Sequence, residues 1–159
     1  MISSCSYPIN KVEINAANLV DTKSIGKLSC SYRLIAVNDL RPEGSKAGGL
    51  GLNKLSFSEP TDFVKAQLVK AGMLPENTVD GRGVVVDIKY VYINQNVGSK
   101  IPTVVYEVQL DKLNTFVIRG QIASMNWTGN EDEIYNAFKA AFQSANTQLI
   151  AKLNKICVN

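Results

Sequence analysis

At 159 residues, with hydrophobic side chains at 45% and charged ones at 19%, the chain has the composition of one folded domain able to bury roughly two thirds of its unfolded surface, which excludes wholesale disorder. The net charge of +3 is small and the basic residues are scattered, so no nucleic-acid partner is expected. Histidine is absent, which removes Ser–His and Cys–His catalysis together with the commonest zinc ligand. Carboxylates, lysines, tyrosines and three cysteines are left to carry any chemistry, and neither a metal nor a cofactor is expected.

Residues 1–26 read as an N-terminal arm and 27–159 as a single α+β domain. No run approaches the ~20 apolar residues of a membrane helix, and the chain does not open with a complete secretory signal. Ile2-Ser3-Ser4-Cys5 matches the end of a bacterial lipobox, in which the cysteine is acylated; each buried methylene of such a chain contributes ~0.8 kcal/mol of anchorage. The alternative is an ordinary cysteine near the chain start. Residues 11–14 are a short strand candidate in an otherwise polar, extended arm.

Residues 27–38 alternate as a strand, with Leu28, Cys30, Tyr32, Leu34 and Ala36 on one face. Residues 34–37 are apolar on both faces, which suggests a central position. The next segment, 39–53, holds Pro42, Gly44, Gly48, Gly49 and Gly51 among Arg41, Lys46 and, just beyond, Lys54. A phosphate-binding loop is excluded, because no Gly-Lys-Ser/Thr ending and no following helix complete the pattern. The segment reads as a mobile surface loop, with Arg41 and Lys46 as candidate ligand or partner contacts.

Pro60 opens a short amphipathic helix through Phe63, Val64, Gln67, Leu68 and Ala71, closed by Gly72. Three strands follow at 83–93, 101–110 and 115–125, joined by links short enough for an antiparallel meander. The helix 131–156 is marked by an apolar stripe from Ile134 through Phe138, Phe142 and Leu149 to Ile156, and Thr128 is placed to cap it with Glu131. The order β-β-α-β-β-β-α predicts an α+β fold: a mainly antiparallel sheet with two helices packed on one face. Tyr90, Tyr92 and Tyr106 are expected in the core, whereas Trp127, at a strand end, is a further candidate ligand contact.

This order resembles small Gram-negative envelope lipoproteins of the YajG-like kind, and more distantly the transport-auxiliary and LptE-like lipoproteins. The resemblance is carried by Cys5 near the start, the strand 34–37 followed by Asn38-Asp39-Leu40-Arg41, the helix ending in Gly72, the Gly120-bearing strand and the Ala/Phe-rich terminal helix. It covers most of the chain. It implies a periplasm-facing domain tethered to the outer membrane through a lipid on Cys5, with an envelope protein or a lipid-like ligand as partner and no turnover chemistry.

Two other readings stay open. One is a secreted effector or immunity-type binding protein. The other is a hydrolase using Asp87 and Glu107 with Arg119 beside them, all on polar strand faces, where paired carboxylates in different environments divide acid and base roles; cross-strand ion pairing explains the same residues without chemistry. In an exported domain cysteines tend to be oxidised. With Cys5 consumed by acylation, Cys30 and Cys157 are left to pair, and the bridge would pin the terminal helix to the early strand. The alternative is two independent thiols, since sequence fixes no distance between them.

Overall fold

The structure is a computed structural model that describes residues 9–19, 24–96, 99–122 and 130–158; Cys5, Trp127 and Thr128 lie outside the described residues. It is an α+β fold. The elements in chain order are β1 (Asn10–Asn15), a 3₁₀ turn (Ala16–Asn18), β2 (Tyr32–Asp39), β3 (Lys46–Leu50), β4 (Asn53–Ser58), α1 (Pro60–Lys70), β5 (Arg82–Asn96), β6 (Ser99–Leu110), β7 (Asn114–Gln121) and α2 (Glu131–Val158). Among the described residues the strands form one seven-stranded sheet in the order β1-β4-β3-β5-β6-β7, with β2 also paired to β5.

The meander β5-β6-β7 is antiparallel, with unbroken register between β6 and β7 and one register shift between β5 and β6. The rest of the sheet is mixed: β1 runs parallel to β4, and β2 and β3 both run parallel to β5. Strand β5 is long enough to hold two neighbours on one side, β2 along residues 82–88 and β3 at Gly48 opposite Ile93. Residues 34–37 therefore lie in an edge strand and not at the centre of the sheet. Residues 10–19, expected in the arm, belong to the sheet and core, with Ile14, Ala16 and Leu19 buried.

Over residues 40–45 the glycine-rich segment is a loop, but from Lys46 onward it is a hairpin. Leu50 pairs with Asn53 across the link Gly51-Leu52, and Gly51 takes the positive φ that primed two-residue turns need. Gly48 also has a positive φ, and a Cβ there would collide with Ile93 O and the Tyr92 ring. Glycine here permits close approach to β5.

One extra residue explains a second departure from expectation. Ile88 pairs with Tyr106 and Tyr90 with the adjacent Val105, so Lys89 is a bulge. Because side chains alternate, a one-residue bulge exchanges the faces beyond it. Val84, Val86 and Ile88 are buried before the bulge and Val91 and Ile93 after it. Tyr106 is in the core as expected, but Tyr90 and Tyr92 are displaced to the outer face, half-buried and stacked with centroids 5.3 Å apart.

Both helices cover the inner face. α1 ends with Gly72 N–H donating to Val69 O and Met73 N–H to Leu68 O, the double bond of a Schellman cap. α2 starts where Asn130 Oδ1 accepts from Glu133 N–H at 2.9 Å, so an asparagine next to the helix supplies a side-chain cap. Phe57 of β4 sits beneath Phe138 and Phe142 of α2 at 5.1 and 5.3 Å, and Phe63 of α1 meets Phe142 edge-on at 5.4 Å. Across this apolar layer runs a buried polar chain. Tyr106 Oη donates to Asn146 Oδ1 at 3.0 Å, and Asn146 Nδ2 donates to Gln67 Oε1 at 2.9 Å, so sheet and both helices are tied in one register.

Candidate functional site

The far end of α2 is fastened by three links to the segment before β2 and by a fourth to Tyr32, the first residue of β2. Cys30 and Cys157 form a disulfide with Cα atoms 6.2 Å apart. Asn154 accepts from Ser29 N–H at 2.8 Å and donates to Lys27 O at 2.9 Å, and the buried Tyr32 hydroxyl donates to Leu153 O at 2.7 Å. Cys30 precedes β2 and does not lie within a strand as expected, because pairing with β5 begins only at Tyr32.

Arg41 is not presented to solvent. Its side chain is 4% exposed, and it grips Asp39 through Nε and Nη2 at 2.7 Å each while Nη2 also donates to Phe57 O at 3.0 Å. The guanidinium thus holds the end of β2 against β4, and its hydrogen bonds push the Asp39 carboxyl below the usual carboxylate range. Lys46 is exposed and paired with Glu43 at 3.2 Å. These two candidates do not converge on a common site. Cys5 and Trp127 lie outside the described residues.

The three residues of the hydrolase reading are brought onto the outer sheet face. Asp87 lies opposite Glu107, and Arg119 lies opposite Val105. Each carboxylate already has a partner: Asp87 is buried and accepts from Asn38 Nδ2 at 2.8 Å, and Glu107 pairs with Lys89 at 3.3 Å. That arrangement secures β2 to β5 and the bulge to β6, as cross-strand pairs do.

What sequence reasoning missed is concave surface. Along the free edge of β2, Leu34, Ile35, Ala36 and Val37 line a groove of about 420 Å³ whose opposite wall combines Val69 and Leu74 with the charged Asp62, Lys65 and Glu76. Among the described residues only the start of this edge is covered, by Leu74, which donates to Tyr32 O at 2.8 Å and accepts from Leu34 N–H at 2.9 Å. An edge strand with no charged residue between Leu34 and Val37 lacks the usual protection against pairing. A second, more open groove of about 690 Å³ lies between the β3–β4 hairpin and β5, bounded by Ile9, Leu52, Lys54 and Tyr92. The apolar character of 34–37 was the available signal for the first groove. The second depends on the hairpin, whose signal was Gly51 between the alternating runs 46–50 and 53–58.

No family model matches the chain, and no curated protein matches it. Among solved structures it is similar to protein XCC0632 from Xanthomonas campestris, described with the family model DUF330, at a TM-score of 0.58 and 8% identity over 94% of this chain and 100% of that one. A second solved structure, of an uncharacterized protein, matches at a TM-score of 0.45 and 12% identity over 86% of this chain and 99% of that one. The first likeness spans nearly the whole of both chains, so the two share a fold.

Proposed function

We propose that this chain is a non-enzymatic accessory or binding domain of the bacterial cell envelope, held on the periplasmic side of the outer membrane by an acylated Cys5. The observation that carries the reading is the Cys30–Cys157 disulfide. A structural disulfide supports export to an oxidising compartment, and it leaves Cys5, within Ile2-Ser3-Ser4-Cys5, as the odd thiol of the three. The fold shared with the DUF330 protein supports the envelope-lipoprotein resemblance at the level of architecture.

The site that fits binding is the uncharged β2 edge with its groove, apolar along β2 and bearing Asp62, Lys65 and Glu76 on the facing wall, where an envelope protein or a lipid-like ligand would lie. The pairing of Asp87 with Asn38 and of Glu107 with Lys89 favours binding over hydrolysis. The test is made in the native host. The wild-type chain should fractionate with outer membrane and Cys5→Ser should be released, while Asp87→Asn/Glu107→Gln should keep the wild-type envelope phenotype. A soluble wild-type chain would refute the anchor, and a null phenotype for a correctly folded amide variant would favour the hydrolase.

A further inference from the structure

One end of the sheet carries two adjacent lysines. The start of β1, the β3–β4 turn and the outer end of the β5–β6 hairpin meet there, and Gly51 N–H donates to Gln95 Oε1 at 2.7 Å. Lys11 and Lys54 stand at this end, and the first carboxylate along β1 is Glu13, two residues beyond Lys11. The acidic first turn of α2 lies elsewhere, with Asp132 beside Asn18 and Leu19 past the opposite end of β1.

Lys11 and Lys54 are register partners in adjacent parallel strands, so both exposed side chains leave the sheet on the same face. Next to them Ile9 is 56% exposed and Leu52 53% exposed, and Asn10 N–H donates to Leu52 O at 3.1 Å, holding the two apolar tips together. Apolar tips flanked by lysines suit a lipid interface, where the tips leave water and the ammonium groups meet phosphates. Chain length points the same way. Ile9 follows Cys5 by four residues, a span of at most about 14 Å when fully extended.

We propose that this end of the sheet docks on an anionic phospholipid bilayer, with Ile9 and Leu52 entering the headgroup layer and Lys11 and Lys54 bound to lipid phosphates. The tether argument rests on the anchor proposed above; the patch itself does not. Docked this way, the domain holds the β2 groove away from the bilayer, because β2 pairs with the opposite half of β5.

The test uses the full chain carrying Cys5→Ser, and therefore no acyl group, sedimented with vesicles of phosphatidylethanolamine containing about a quarter phosphatidylglycerol. It should bind at low salt and be released by high salt. Lys11→Ala/Lys54→Ala should partition about 30-fold more weakly, about fivefold for each lysine, and Leu52→Asp at least as weakly. Val79→Asp, an exposed apolar residue at the other end of β5, should bind like the parent. Thermal unfolding of each variant at the parent's midpoint confirms that folding is intact. Equal partitioning of parent and lysine variant, equal binding to pure phosphatidylcholine vesicles, or no binding of the Cys5→Ser chain to anionic vesicles would overturn the proposal. Failure of acylation in cells would remove the anchor without touching the vesicle result, and the converse also holds.

Discussion

Replacing Gly120 by Ala opposes two effects of known size. Gly120 lies in β7, in backbone that any residue adopts, so the added methyl should stabilise by about 0.4–1 kcal/mol through the unfolded chain alone. Sterics act the other way. A Cβ at Gly120 would overlap Ala141 O and Ala145 N and stand 2.7 Å from Ala145 Cβ. Two of these three atoms are helix backbone, so no rotamer change relieves the clash and α2 must lift from the sheet. The lift falls between Phe138 and Asn146, where the aromatic cluster and the buried polar chain are seated. Overpacking of this kind costs typically 1–3 kcal/mol, and here the upper end applies. The net expectation is a loss of about 2 kcal/mol, read as a lower urea midpoint with an unchanged m-value in the oxidised protein. Gly44→Ala is the control: its φ is +59° and no atom lies within 4 Å, so it should lose only the roughly 1–2 kcal/mol of left-handed backbone. A Gly120→Ala protein as stable as the parent would mean that α2 is not seated on β7.

Phe138, fully buried against Phe57, should cost about 3–5 kcal/mol when cut to Ala; a urea-derived loss below ~1 kcal/mol would place it outside the core. The Cys30–Cys157 bridge spans a sequence separation of 127, and Cys30→Ser/Cys157→Ser should lower stability by up to ~4–5 kcal/mol on the chain-entropy model, while thiol counting on denatured, unreduced, unacylated protein should find Cys5 alone. Tyr106→Phe removes the donor to Asn146 in a site whose burial raises the phenol's pKa well above its ordinary value, and should cost about 1–3 kcal/mol by leaving a buried acceptor unmet. Asp39 titrates below the ordinary carboxylate range, chiefly through its hydrogen bonds from Arg41. Its contribution is therefore complete above about pH 4 and fades as pH falls through the lower folded-state pKa. Asp39→Asn should flatten acid unfolding below about pH 4, and identical acid midpoints for the two proteins would count against the pairing.

The meander and α2 were legible because their periods extend over many residues and no other face could be buried. The Lys89 bulge was not legible: residues 84–93 are apolar on both faces for most of their length, so exchanging the faces leaves no gap in the pattern. Tyr90 and Tyr92 were misplaced for that reason alone. Gly48 reads as loop in the sequence because glycine is permissive, whereas in the fold it admits Ile93 O and the Tyr92 ring. Residues 34–37 read as central in the sequence because apolar residues on both faces usually mean burial. Here the second face lines a groove, and the edge beside it is open. The cysteine pair was legible as a pairing by elimination, and only the fold supplied the 6.2 Å Cα separation that permits it.

The proposed function stands or falls with acylation of Cys5 on an exported, disulfide-bonded domain. The most direct measurement is metabolic labelling with radioactive palmitate in the native host, comparing the wild-type chain with Cys5→Ser. Label is expected on the wild type and none on Cys5→Ser, with the Cys30–Cys157 bridge oxidised in both. Label that persists in Cys5→Ser, or a wild-type chain that takes up none and is recovered with Cys30 and Cys157 as free thiols, would contradict it.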